Sequence, residues 1–188
     1  MTPFEYVTAA ILLILGLGIT GLLGALLETL RAHQTIRLDW IPLTWAVLIF
    51  LAQMQFLWAS YELNGLIRVW RVSTFALMIG LALLLFAAGA LVLPRDVRVH
   101  QDNGFETFRQ DGRWALVALG VYFAAGFGVN PLLFGMQVFD PLNIAALVLG
   151  LVALATFFAK TRRRWVVGTL LFLGIAIPAL VLFSPPAY

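Results

Sequence analysis

Six apolar runs fill most of the chain, at about residues 4–30, 40–64, 72–93, 114–130, 142–159 and 165–183. Each is close to the ~20 residues that an α-helix needs to cross the hydrocarbon core of a bilayer. With no water there, a backbone must satisfy its own N–H and C=O groups, as a helix does. Only short charged turns and one polar segment, 95–113, separate the runs. Charged residues make up 11% of the chain and hydrophobic ones 62%, about half the charged share of an ordinary soluble domain. The expected fold is therefore all-α: a polytopic integral membrane protein, one six-transmembrane-helix bundle over residues 1–188.

Basic residues set the expected orientation. The turns after the first, third and fifth runs hold Arg31, Arg37, Arg95, Arg98, Arg109, Arg113, Lys160, Arg162, Arg163 and Arg164, whereas the opposite side holds Arg68 and Arg71. The positive-inside rule makes the first side cytoplasmic and puts both termini on the non-cytoplasmic side. Trp40, Trp114 and Trp165 each start a run just after such a turn and read as an inner aromatic belt. Trp58, Tyr61 and Trp70 read as the outer one. The net charge of +3 then reflects topology signals and contacts with lipid headgroups, not nucleic-acid binding. The N-terminus lacks a basic region ahead of its long apolar run, so no cleavable signal peptide is expected.

The second run is the least ordinary. Asp39 reads as its N-cap, with Pro42 in the first turn. Gln53 and Gln55 lie deep within it, with Trp58 and Glu62 beyond. Helical spacing puts Thr44, Leu48, Leu51, Gln55, Trp58 and Glu62 on one face, and Gln53, Ser60 and Asn64 on another. Polar groups on two faces call for two neighbours, which places this helix inside the bundle. On the first run Gly18, Gly21 and Ala25 share a face that lets another backbone approach closely. That face ends in Glu28. Asn130-Pro131 is expected to break or end the fourth helix, and Pro178 to kink the sixth. In 95–113, balanced charges suggest a solvated cytoplasmic loop, while Phe105 and Phe108, one turn apart, suit a short interfacial helix.

Several chemistries are disfavoured. Without cysteine there are no disulfides, thiolate ligands or cysteine nucleophiles. His33 and His100 fall in turns and not inside helices, so neither a membrane haem nor a metal site is expected. Lys160 lies in a basic turn, not where a buried Schiff base would need it. A lipid enzyme built on His100, Asp102 and Glu106 lacks a nucleophile or metal set to complete it. No catalytic residue, cofactor or metal is expected, and the chain reads as a non-enzyme.

The run Leu15-Gly-Leu-Gly-Ile-Thr, Trp45, Gln55-Phe-Leu-Trp58, Glu62 and the stretch from Asp96-Val-Arg-Val-His to Arg113-Trp114 resemble a widespread set of small six-helix bacterial inner-membrane proteins. The resemblance covers most of the chain through loose hydrophobic patterns. It implies six helices and a multi-pass location in a bacterial inner membrane, and it carries no activity. Members often have a histidine after the Ile-Thr pair. Here that place is Gly21, so no role of that side chain carries over.

Two functions fit these residues. One is a channel- or transporter-like bundle whose polar pathway, or binding site for an ion or small solute, is lined by the first two helices. Its candidate residues are Glu28, Gln53, Gln55, Trp58 and Glu62. The other is a non-catalytic accessory or self-associating subunit that binds membrane lipids, a partner membrane protein or a second copy through Gly18, Gly21 and Ala25.

Overall fold

The computed structural model describes residues 3–31, 39–66, 71–93 and 104–183. Those residues form α1 (Pro3–Arg31), α2 (Trp40–Leu66), α3 (Val72–Val92), the short α4 (Gly104–Thr107), α5 (Trp114–Phe134), α6 (Pro141–Phe157) and α7 (Arg162–Phe183). A π-helical turn, Phe108–Gly112, leads from α4 into α5. Helices α1, α2, α3, α5 and α7 are long and apolar enough to cross a membrane, and α6 is a shorter apolar helix. This is the make-up of a helical membrane bundle. His33, Arg37, Arg68, Trp70, Arg95, Arg98, His100 and Asp102 lie outside the described residues.

Local chemistry sets two of the helix starts. The Asp39 carboxylate accepts the Ile41 N–H at 2.9 Å, and the Asp140 carboxylate accepts the Leu142 N–H at 2.9 Å. Each satisfies a donor that the first turn leaves without an intrahelical partner. Pro141 at the first position of α6 has no N–H to leave unpaired. Helix α5 ends on Gly135, whose φ of 64° is the left-handed C-terminal cap that suits glycine.

The helices form a ring in the order α1, α3, α5, α6, α7, α2, and α2 also reaches across to α3 and α5. Half of the α2 span is buried, the largest share among the five long helices. Antiparallel α5 and α6 approach most closely where Gly120 faces Gly150. A Cβ on Gly150 would lie 2.9 Å from the Gly120 carbonyl oxygen and 3.0 Å from the Ala124 nitrogen. Only glycine lets these two backbones touch.

Three expectations are corrected. Helix α5 does not stop at Asn130-Pro131 but runs through Pro131 to Phe134, because a side chain takes over the carbonyl bond that proline cannot make. Trp165 is not an interfacial residue. It is fully buried, with its ring edge-on to Phe105 at 6.1 Å and Phe108 at 5.4 Å, and its Nε1–H donates to the Ala159 carbonyl at 3.0 Å. Residues 104–112 are a helical plug and not a solvated loop, since Phe105 and Phe108 are buried against that tryptophan. Trp40 and Trp114, by contrast, are exposed at the starts of their helices.

The Gly120–Gly150 crossing makes a stability prediction. Gly150→Ala forces two backbones apart and is expected to destabilise the bundle by about 1–3 kcal/mol, as overpacking does. Gly174→Ala, where a Cβ meets nothing within 4 Å, is expected to be neutral or to stabilise by up to about 1 kcal/mol through helix propensity. Unfolding of both variants by dodecyl sulfate titration in mild detergent checks the contrast.

Candidate functional site

The two glutamines of α2 face different neighbours. Gln53 points between α1 and α3 and is fully buried. Its Nε2–H donates to the Leu85 carbonyl at 3.0 Å, while its Oε1 has no partner among the described residues. Glycines hollow out the seat for this amide. A Cβ on Gly18 would lie 3.1 Å from Nε2, and one on Gly89 would lie 2.9 Å from it. Gln53 is thus a wedge at a three-helix junction.

Gln55 faces the other way, into a cavity of about 150 Å³. The cavity lies between α2, α3, α5, α6 and α7 and receives no residue from α1. Leu48, Leu81, Leu149 and Phe172 form its apolar end. Gln55, Ser60, Tyr122 and Asn130 supply its polar side chains, and none of the described residues that line it is charged. Edge-on aromatic contacts stiffen one wall, with Phe56 to Tyr122 at 5.9 Å, Tyr122 to Phe123 at 5.1 Å and Phe123 to Phe172 at 5.8 Å.

The polar groups in the wall differ in how much they have left to offer. Ser60 Oγ–H donates to the Leu57 carbonyl of its own helix at 2.8 Å. Asn130 Nδ2–H donates to Asn143 Oδ1 at 3.2 Å. Asn143 is fully buried and donates from its own Nδ2 to the carbonyls of Phe127 at 3.2 Å and Val138 at 3.0 Å. Pro131 has no N–H to give to Phe127, four residues earlier. Asn143 gives one instead, which keeps α5 helical through the proline. Gln55 makes no hydrogen bond to the described residues and is only half-buried, so its amide is available to whatever enters the cavity.

Of the expected pathway residues, only Gln55 lines this cavity. Glu62 is exposed and accepts the Trp58 Nε1–H at 3.0 Å; the exposed Trp58 ring pairs with Tyr61. Glu28 is exposed near the end of α1. Gly18 packs against Gln53 and Phe86, Ala25 lies against the core, and Gly21 has open space where a Cβ would stand. Sequence reasoning missed Tyr122, Asn130 and Asn143 as parts of one site. The signal lay in the two asparagines flanking a single helical hairpin, one of them directly before a proline.

At the opposite end of the bundle, Asp39 is buried and pairs with Arg162 at 2.6 Å. The Arg162 guanidinium lies 5.4 Å from the centre of the Phe105 ring. Trp45 Nε1–H donates to Thr169 Oγ1 at 3.1 Å, and its ring tilts against Phe172 at 4.8 Å. This end is held shut.

No family model, curated protein or solved structure matches the chain, so the site is read from its own geometry.

The seat of Gln53 separates gluing from packing. Interhelical hydrogen bonds in membranes average roughly 0.6 kcal/mol, and Gln53→Leu also removes an unpartnered oxygen. It is expected to change stability by less than ~1 kcal/mol. Gly89→Leu drives a side chain into the amide and is expected to cost about 1–3 kcal/mol. Steric-trap unfolding in bicelles compares the two.

Proposed function

We propose that this chain is a six-helix carrier-like bundle of a bacterial inner membrane, with both termini on the non-cytoplasmic side, that binds a small neutral molecule without transforming it. Helix α6 serves as the sixth span. Its 17 residues rise about 25 Å at 1.5 Å each, and it packs closely along α5. The ten basic residues of the turns after the first, third and fifth sequence runs support the orientation, against Arg68 and Arg71 on the other side.

The observation that carries the binding reading is a cavity of about 150 Å³ with no charge among the described residues of its wall and one unengaged amide, Gln55. An ion held there would have no compensating charge in a medium that penalises bare charge heavily. A neutral guest meets no such penalty. Apolar cavities of about 150 Å³ accept a benzene-sized group, and Gln55 adds both a donor and an acceptor. The site thus favours a neutral guest over the ion that the sequence left open. Self-association through α1 keeps one supporting observation, that Gly16, Gly21 and Gly24 meet nothing within 4 Å in a single copy.

The test uses 4-(trifluoromethyl)benzyl alcohol, a neutral ring-sized probe, followed by fluorine NMR on the protein in nanodiscs. Saturable binding is expected for the wild type. Ala146→Phe and Gly126→Leu, both at residues lining the cavity, are expected to weaken it at least about tenfold while keeping native helicity. Potassium and chloride flux into proteoliposomes should match that of protein-free vesicles. Equal signals from wild type, both variants and empty nanodiscs, or a clear ion flux, overturn the reading.

A further inference from the structure

We infer that the guest of this cavity is a neutral lipid alcohol that enters sideways from the bilayer, through a seam between α2 and α7. The inference rests on the binding reading above and names the guest and its route.

The seam follows from where α2 and α7 touch. The bonds joining them cluster at one end, in Asp39–Arg162, Trp45–Thr169 and Trp45–Phe172. Beyond that end the two helices face each other across the cavity, α2 from Leu48 to Ser60 and α7 from Phe172 to Leu180. Among the described lining residues, only Leu51 and Ile177 are exposed, one on each of these helices. Their exposure is 37% and 55%, and it marks the mouth.

Depth decides what the mouth opens onto. Leu51 lies 11 residues past Trp40 and Ile177 lies 15 past Arg162, rises of roughly 16 and 22 Å at 1.5 Å per residue. A hydrocarbon core is about 30 Å thick, so both sit within it and face acyl chains, not water. Counted along their helices, Gln55, Ser60 and Asn130 lie toward the non-cytoplasmic end of the cavity and Leu48, Leu81, Leu149 and Phe172 toward the bilayer centre, where Tyr122 is the one polar side chain. The cavity therefore has the polarity of a lipid in the outer leaflet, with a polar head near the surface and an apolar tail below it.

The head is uncharged, because neither phosphate nor ammonium finds a counter-charge among the described residues of the wall. A hydroxyl suits it, being both donor and acceptor. Gln55 can serve it from either end of its amide. Asn130 has committed its Nδ2 to Asn143 and has its Oδ1 left to accept. The volume admits a head and a few carbons. The remainder of the chain stays among the acyl chains through the open seam.

The probe is hexadecanol carrying a diazirine in its chain, photolysed with the protein in phosphatidylcholine vesicles, with adducts mapped by mass spectrometry. Adducts are expected on the lining residues of α2 and α7, and to fall several-fold with excess dioleoylglycerol or in Ala146→Phe, but not with excess phosphatidic acid. Adducts spread evenly over α1 and the other lipid-facing helices, or equal competition by phosphatidic acid, overturn the choice of guest. The chain has no cysteine, so bimane placed singly on Leu51→Cys or Ile177→Cys reads the mouth directly. Quenching by brominated acyl chains is expected, and quenching by aqueous iodide overturns sideways entry. If trifluoromethylbenzyl alcohol binds but the diazirine alcohol does not label the cavity, this inference fails and the binding reading stands. If neither occupies it, both fail.

Discussion

One tryptophan, Trp45, and the Asp39–Arg162 ion pair fasten α2 to α7 at one end, and the rest of the architecture depends on that asymmetry. Trp45 donates to Thr169, whose hydroxyl in turn donates to the Trp165 carbonyl at 2.8 Å. Trp165 is held in place by Ala159, Phe105 and Phe108. The buried Asp39 adds its ion pair with Arg162 while capping α2. One carboxylate thus starts a helix and ties it to its neighbour. The same end carries the plug of α4 and the π turn, where a Cβ on Gly112 would strike the Phe108 ring and the Val92 carbonyl. Among the described residues, the polar links between α2 and α7 all lie there, so the far half of their interface is free to hold a cavity instead of a seam of packed side chains.

The paired glutamines show how surroundings, and not residue type, decide what an amide does. Gln53 and Gln55 are two positions apart and so project to different sides of α2. On one side, glycines of α1 and α3 bring backbone close enough to enclose the amide completely. Its one donated bond goes to Leu85, and the space left around it is smaller than a methyl group needs. On the other side Gln55 meets the cavity, whose far wall includes the α5–α6 hairpin. That hairpin is itself drawn tight by the Gly120–Gly150 contact and the Asn130–Asn143 pair. An amide that is enclosed as glue on the first side is left open to the cavity on the second.

The sequence made the spans legible because hydropathy and length act locally, and it made the helix starts at Asp39 and Asp140 legible because caps are local too. The interior position of α2 could also be read, since amides on two faces demand neighbours on both. Tertiary partners were not legible. Pro131 looked like a stop because nothing near it in the chain replaces its missing N–H; Asn143, twelve residues on, does so only after the hairpin closes. Trp165 looked like a belt residue because it follows a run of arginines, yet the plug covers it. Phe105 and Phe108 looked amphipathic because their partner is 57 or more residues away. The cavity itself was invisible, being an absence of side chains where five helices diverge.

A guest drawn from lipid changes the energetics of recognition. Its tail leaves one apolar medium for another, and lipid chains are as apolar as leucine, so burial in the cavity wall adds little to affinity. Selectivity then falls to the few polar atoms. Each hydrogen bond made in this setting is worth roughly 0.6–2 kcal/mol, a factor of about 3–30 in occupancy. One such bond at Gln55 and a second at Asn130 would suffice to separate the proposed alcohol from a hydrocarbon. They do not suffice to strip a charged headgroup of water. On the proposed reading, a wall whose described residues carry no charge and one unengaged amide would select the kind of polar head that can leave the interface at little cost. The exposed glutamates, Glu28 and Glu62, stay outside the cavity and leave that selection undisturbed.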